Sequence, residues 1–110
     1  MPRKERFTRN WLLEQAISAP NVSVQLTGYL KILSESNWYT FTQIENEEGK
    51  RIAGHLNLPK KKVDTLISNI QEFNNQPFIL IGKPSFYVTK SVKRGSINID
   101  QVIHRPKSTI

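Results

Sequence analysis

The chain has no cysteine, and this absence excludes several classes of protein. A disulfide scaffold, a thiol nucleophile and cysteine-ligated zinc or iron–sulfur centres all require that residue. The two histidines, His55 and His104, lie far apart in the sequence, which disfavours a transition-metal site. No apolar run approaches the roughly 18 residues that cross a membrane, and the polar, basic N-terminus lacks a signal-peptide pattern. We therefore expect a soluble, cytoplasmic protein without a metal or other cofactor.

Sequence motifs for catalysis are equally scarce. The chain contains neither the GxxxxGK[ST] nor the GxGxxG phosphate-binding pattern. Glu45, Glu47 and Glu48 form the one acidic cluster, but on a tight turn their side chains point in different directions. No histidine or cysteine lies beside them in the sequence, so a solvated turn explains them better than a catalytic or metal site. We expect no enzyme activity and predict no catalytic residue.

The residues that are present favour one folded domain with a polarised charge. Leu, Ile, Val and Phe account for 32 of the 110 residues, well above the roughly 20 % below which charged chains tend to be disordered. The formal net charge is +7. Residues 83–107 carry most of the excess positive charge, whereas residues 34–48 contain four glutamates and no cation. Such a distribution favours an oriented basic surface that would suit a polyanionic partner.

Hydrophobic periodicity predicts a mostly β chain with two helices. Asn10 is a good N-cap for a helix over residues 10–18, which Pro20 ends. Apolar residues at 63, 66, 67, 70 and 73 predict a second helix over residues 60–73. Alternating residues predict strands over 22–32, 38–45, 51–58, 78–88 (bent at Gly82 and Pro84) and 96–103. Gly28 interrupts the first strand where a bulge or bend is expected, and a basic loop is predicted over residues 89–95.

The order of these elements resembles the OB-fold of single-stranded nucleic-acid-binding proteins. The features that carry the resemblance are the helix between strands three and four, the mid-strand Gly28 and the acidic turn closed by Gly49. The resemblance implies an all-β, five-stranded barrel over residues 22–104. A basic arm and short helix (residues 1–21) would precede the barrel, and a flexible tail (residues 105–110) would follow it. It also implies a binding face across strands two and three, flanked by the loops after strands one and four.

Binding of single strands needs aromatic faces for the bases and cations for the phosphates. The aromatic candidates on the implied face are Tyr29, Trp38 and Tyr87. The other candidates, most of them basic, are Lys31, Arg51, His55, Lys83, Lys90, Lys93 and Arg94. Alternation in strand three predicts an outward row of Arg51, Ala53, His55 and Asn57. Strand alternation turns only one of Trp38 and Tyr39 outward. If Phe41 is in the core, Trp38 is the exposed one, whereas a bulge would invert this assignment.

Two further basic segments have alternative explanations. Lys60, Lys61 and Lys62 stand in the first turn of the predicted second helix, where the helix dipole disfavours cations. They form either a second anion-facing patch or a solvated turn. The N-terminal cations Arg3, Lys4, Arg6 and Arg9 form either an arm that orders on nucleic acid or an ordinary basic terminus.

Two functions from different classes remain open. The first is non-catalytic binding of single-stranded nucleic acid, with DNA favoured over RNA. No acidic C-terminal tail follows the predicted barrel, unlike in bacterial single-stranded DNA-binding proteins, so an accessory role in replication, recombination, plasmid or phage biology fits better. The second is a protein–protein adaptor or structural subunit that uses the barrel face or the N-terminal helix. Trp11, Leu12 and Ile17 would anchor that helix, and we expect them to be buried on the chain's own barrel or in a homo-oligomer.

Overall fold

A computed structural model of the chain describes residues 10–105, which form a five-stranded antiparallel sheet with two short α-helices. The predicted arm with Arg3, Lys4, Arg6 and Arg9 and the tail residues 106–110 lie outside the described residues. The elements in chain order are α1 (Asn10–Ser18), β1 (Val24–Lys31), β2 (Trp38–Glu45), β3 (Arg51–Pro59), α2 (Lys60–Asp64), a 3₁₀ turn (Ile70–Phe73), β4 (Pro77–Thr89) and β5 (Val92–His104). The predicted mostly β class is thus confirmed, and all strand pairings of the sheet are antiparallel. No helix within residues 10–105 is long and apolar enough to cross a membrane.

The sheet is open, with β3 and β5 at its two edges. Its strand order is β3-β2-β1-β4-β5, and within the described residues no strand pairing joins β3 to β5. Strand pairing therefore does not close the sheet into a barrel. Helix α1 packs against β4 and β5 and also contacts β3. Because both edge strands contact the same helix, the open sheet must curl around the core.

The core lies inside this curl and includes one face of α1. Leu12 is fully buried in the same cluster as Phe41 and Phe78, whose rings meet edge to face at 5.8 Å. Trp11 is half-buried against that cluster, so α1 caps the chain's own sheet. Ile17 is not buried on the chain's own sheet, since 63 % of its surface is exposed. Leu12 and Ala16 are four residues apart and share one face of α1, whereas Ile17 lies about 100° further round the helix.

A bulge bends the middle of the sheet at the predicted interruption. β2 places two residues, Gln43 and Ile44, opposite Gly28 of β1, and Gln43 has a left-handed φ of 55°. A Cβ atom at Gly28 would lie 2.7 Å from Ile44 Cδ1, so any larger residue would have to displace the end of that side chain. The irregularity expected at Gly28 is confirmed, and the extra residue is on β2.

The single helix predicted over residues 60–73 is wrong. Helix α2 ends at Asp64, and the 3₁₀ turn begins only at Ile70. Asn69 lies between them with φ of 60° and ψ of 27°, a left-handed conformation that an α-helix does not contain. Thr65, Ser68 and Asn69 are weak helix formers. In addition, the lysines in the first turn oppose the helix dipole, so local propensity does not carry the helix onward.

The apolar residues of that segment nevertheless reach the core. Val63 and Ile70 are buried, while Leu66, Ile67 and Phe73 are partly buried against the same cluster. The hydrophobic spacing therefore identifies the inward residues correctly. The short helix α2, the 3₁₀ turn and the segment between them place these residues in the core, although the sequence predicted one continuous helix.

The basic loop predicted over residues 89–95 is also wrong, because β4 and β5 form one long hairpin. β4 runs without interruption past Gly82 and Pro84 to Thr89. A two-residue turn follows, Lys90 and Ser91, with φ of 51° and 64°. Positive φ at both positions is typical of the type I′ turn that joins two antiparallel strands directly. The outer part of this hairpin is exposed on both faces, which hides the period-two pattern in the sequence.

The hydroxyl of Tyr39 connects β2 to α2. Tyr39 is 1 % exposed, and its Oη donates a hydrogen bond to Asp64 Oδ1 at 2.8 Å. Burial raises the pKa of Tyr39 above the ordinary value of 10.0, and the hydrogen bond to Asp64 raises it further. We expect Tyr39→Phe to lower the free energy of unfolding by about 1 kcal/mol at neutral pH. Urea denaturation measures this difference.

The pH dependence of the same variant provides a second test. A raised folded-state pKa stabilises the protein below the unfolded pKa, and the stabilisation is lost as pH rises through the folded pKa. The difference in free energy of unfolding between wild type and Tyr39→Phe should therefore become smaller above pH 10.0. Tyr29→Phe is the control, because the exposed Tyr29 should change stability by less than about 0.5 kcal/mol. Equal losses from both variants would contradict the role of the Asp64 hydrogen bond.

Candidate functional site

Side chains on the outer face of β1, β2 and β3 form regular rows across the three strands. Lys31, Thr40 and Asn57 face each other in one row, since β2 pairs with both neighbours at Thr40. The next row contains Tyr29, Thr42 and His55. We call this surface the outer groove: a shallow depression of about 410 Å³ lined by Lys31, Leu33, Ser36, Trp38, Thr40, Thr42, His55 and Asn57.

Trp38 stands at the start of β2, at one end of the outer groove. Its surface is 48 % exposed, whereas Tyr39 and Phe41 are buried. Of the two open alternatives, the structure therefore turns Trp38 outward and Tyr39 inward. The backbone N–H of Trp38 donates to Ser36 Oγ at 3.1 Å, which fixes the strand where the tryptophan emerges.

A second concavity lies between the two edge strands. This edge cleft has a volume of about 590 Å³ and is lined by Trp38, Asn57, Leu58, Pro59, Tyr87, Ser96, Ile97 and Asn98. One wall comes from β2 and β3, and the other comes from β4 and β5. Trp38 and Asn57 line both the edge cleft and the outer groove, so the two concavities adjoin.

The β4–β5 hairpin separates the predicted basic residues between its two faces. Tyr87 pairs with Arg94, and Lys83 pairs with Asn98 of the cleft wall. Tyr87 and Lys83 are four residues apart in β4, so Tyr87, Arg94 and Lys83 share one face. Lys93 lies on the opposite face, where its Nζ is 5.2 Å from the centre of the Phe86 ring. Lys90 belongs to the turn. The predicted cations therefore do not form a single patch.

Arg51 lies apart from the other candidates. It is at the first position of β3, four residues before His55, and its Nε is 4.0 Å from Glu45 Oε2. The predicted outward row through Arg51, Ala53 and His55 is wrong at Ala53, which is 1 % exposed. β3 carries an extra residue, Ile52, between its pairings with Ile44 and Glu45, and this irregularity breaks the alternation between Arg51 and Ala53.

The acidic segment is a turn, and the lysines of α2 are mostly solvent-facing. Asn46 is buried, and its Oδ1 accepts hydrogen bonds from the backbone N–H groups of Glu48 and Lys50, both at 3.0 Å. Within residues 10–105 no group of three or more histidine, aspartate or glutamate side chains is arranged to hold a metal ion. Lys60 Nζ lies 5.4 Å from the Tyr39 ring centre, whereas Lys61 and Lys62 are exposed.

Sequence reasoning missed the polar lining of the edge cleft. Asn57, Ser96 and Asn98 were not among the predicted site residues, although Asn57 was placed on an outward row. Their strand positions mark them as outward-facing. No local sequence pattern shows that β3 and β5, which are distant in the chain and not paired, approach each other; only the resemblance to a barrel implies it.

Comparisons with protein-family models, curated proteins and solved structures find no match to this chain. The function is therefore inferred from the geometry of the outer groove and the edge cleft.

Proposed function

We propose that the protein is a non-catalytic module that binds single-stranded nucleic acid, with DNA favoured over RNA, along the outer groove. The observation that carries this proposal is that exposed aromatic rings share one continuous face of three strands with the basic residues Lys31 and His55. Tyr29 and Trp38 offer flat π surfaces there, and Lys31 lies in the row between them. Bases stack on such rings, while cations follow the phosphates.

The architecture supports an OB-fold-like barrel as the scaffold for this function. The sheet order, the helix between β3 and β4, and the curl that brings both edges to α1 fit such a scaffold. In that fold the ligand crosses β2 and β3, the strands that carry Trp38 and His55. An accessory role in DNA replication or recombination, or in plasmid or phage biology, belongs to the same proposal.

The alternative adaptor function has less support from α1. Leu12 is committed to the core of its own chain, and Trp11 packs on that core. Of the three residues suggested as an anchor, Ile17 alone presents a largely exposed side chain. A helix that already caps its own sheet offers a small surface to a partner.

The test of the proposed function is Trp38→Ala. We expect it to weaken binding of oligo-dT, of about 12 nucleotides, by about 1–3 kcal/mol, the usual contribution of a base stacked on an aromatic ring. The slope of log affinity against log salt should remain unchanged, because no charge is removed. Fluorescence anisotropy of labelled oligo-dT at several salt concentrations measures both quantities, with duplex DNA as the competing ligand.

The matched control is Phe86→Ala. Phe86 is 43 % exposed, a fraction similar to the 48 % of Trp38. It lines neither concavity and lies on the hairpin face opposite Tyr87. The Phe86→Ala variant should therefore leave the affinity for oligo-dT nearly unchanged. Equal losses from the two variants, or no loss from either, would show that the outer groove is not the binding face. Equal affinity of the wild type for duplex and single strand would overturn the proposed function.

A further inference from the structure

We propose that the edge cleft takes one nucleobase of the bound strand and favours thymine or uracil over adenine. This inference rests on the proposed function, because the base belongs to the strand held in the outer groove. The two concavities share Trp38 and Asn57, so a strand that leaves the outer groove at Trp38 meets the edge cleft next.

The size and lining of the cleft suit a flat heterocycle. Its volume of about 590 Å³ is within the roughly 300–1,000 Å³ that ligand sites occupy. Trp38 and Tyr87 contribute aromatic surface from opposite walls, and both are nearly half exposed before any ligand binds. Leu58 and Ile97 also line the cleft, but at 2 % and 5 % exposed they offer a base little surface.

The polar residues of the cleft determine which hydrogen-bond donors and acceptors it offers to a base. Thr40 Oγ1 donates to Asn57 Oδ1 at 2.8 Å, which uses one of the two lone pairs of that oxygen and holds the amide in one orientation. With Oδ1 held by Thr40, the Nδ2 group of Asn57, a residue of the cleft lining, can donate to a bound base. Asn98, on the opposite wall, brings both a donor and an acceptor.

This pattern matches thymine and uracil better than adenine. Thymine and uracil present an acceptor, a donor and an acceptor along one edge: two carbonyl oxygens that flank an N–H group. Asn57 can donate to one carbonyl, while the amide of Asn98 can accept from the N–H and donate to the other carbonyl. Adenine has no carbonyl oxygen, and its pairing edge offers one donor and one acceptor. The adenine edge therefore leaves one of the asparagine donors without a partner.

The experiment compares the affinities of oligo-dT and oligo-dA of equal length in a Trp11→Phe background. The chain has two tryptophans, so this background makes Trp38 the single tryptophan reporter, and bases that stack on it quench its fluorescence. In that background we expect Asn57→Ala to reduce the dT:dA affinity ratio by about three- to tenfold, the effect of one hydrogen bond. Self-stacking of oligo-dA is a property of the oligonucleotide, so it cancels when variants are compared.

Two further variants complete the design. Thr40→Val keeps Asn57 but removes the hydroxyl that orients its amide, so the dT:dA ratio should fall by about twofold or more. Asn21→Ala makes the same substitution as the test variant at an exposed turn residue outside both concavities, so it should leave the ratio unchanged.

The outcomes separate the two proposals. If oligo-dT binds and quenches Trp38 but the ratio stays the same in Asn57→Ala and Thr40→Val, the base-selective cleft is wrong and the proposed function stands. If oligo-dT does not bind at all, the proposed function itself is overturned. A dT:dA ratio that falls as much in Asn21→Ala as in Asn57→Ala would also contradict base selection by the cleft.

Discussion

Gly82→Ala is expected to lower the free energy of unfolding by about 3 kcal/mol or more, near the upper end of the usual cost of overpacking. A Cβ atom at Gly82 would lie 2.1 Å from the backbone oxygen of Asn98 and 2.7 Å from the Cα of Ile99. Both atoms belong to the backbone of β5, which cannot retreat without breaking its pairing with β4. β5 also carries an extra residue at this point of the register, so its path is already bent. Urea denaturation measures the loss.

Two other glycines provide controls for this substitution. A Cβ atom at Gly54 would meet no heavy atom within 4 Å, so Gly54→Ala should be neutral or slightly stabilising. The effect of Gly28→Ala on the free energy of unfolding should lie between those of Gly82→Ala and Gly54→Ala. Its closest contact, 2.7 Å from Ile44 Cδ1, is to the end of a flexible side chain. If Gly82→Ala is as mild as Gly54→Ala, the close approach of β4 and β5 is incorrect.

Elements with a clear local period were predictable from the sequence. α1 has the predicted bounds Asn10–Ser18, and β2 has the predicted bounds Trp38–Glu45. The orientation of Trp38 and Tyr39 followed from strand alternation once Phe41 was placed in the core. In each case the pattern repeats over neighbouring residues, so the chain itself carries the information.

Features that depend on distant parts of the chain were not predictable in the same way. The irregularity in β3 that buries Ala53 depends on its pairing with β2. The outer part of the β4–β5 hairpin has no buried face, so its strands lack the apolar alternation on which prediction relies. The edge cleft requires β3 and β5 to approach each other without pairing. No local pattern records that approach, although it brings Trp38 and Tyr87 to one concavity.

Replacement of Lys83 and Arg94 together by alanine is expected to weaken oligo-dT binding by about 15-fold near 0.15 M salt, and by more at lower salt. Both residues share the hairpin face of Tyr87, which lines the edge cleft. Each cation that neutralises a phosphate of a single strand contributes about 0.7 to the log–log salt slope. Loss of two such contacts should therefore flatten the slope by about 1.4. Anisotropy titrations across a salt series measure the affinity and the slope in the same experiment.

The control for Lys83 and Arg94 must remove the same charge from elsewhere. A Lys50→Ala and Lys93→Ala double variant also lowers the net charge by two, but Lys50 follows the acidic turn and Lys93 lies on the opposite hairpin face. If the cations on the hairpin face of Tyr87 contact the phosphates, this control should change the log–log salt slope much less than the test variant. Equal flattening in both would mean that the strand senses the net charge of the whole protein. The basic residues beside Tyr87 would then have no specific place along the bound strand.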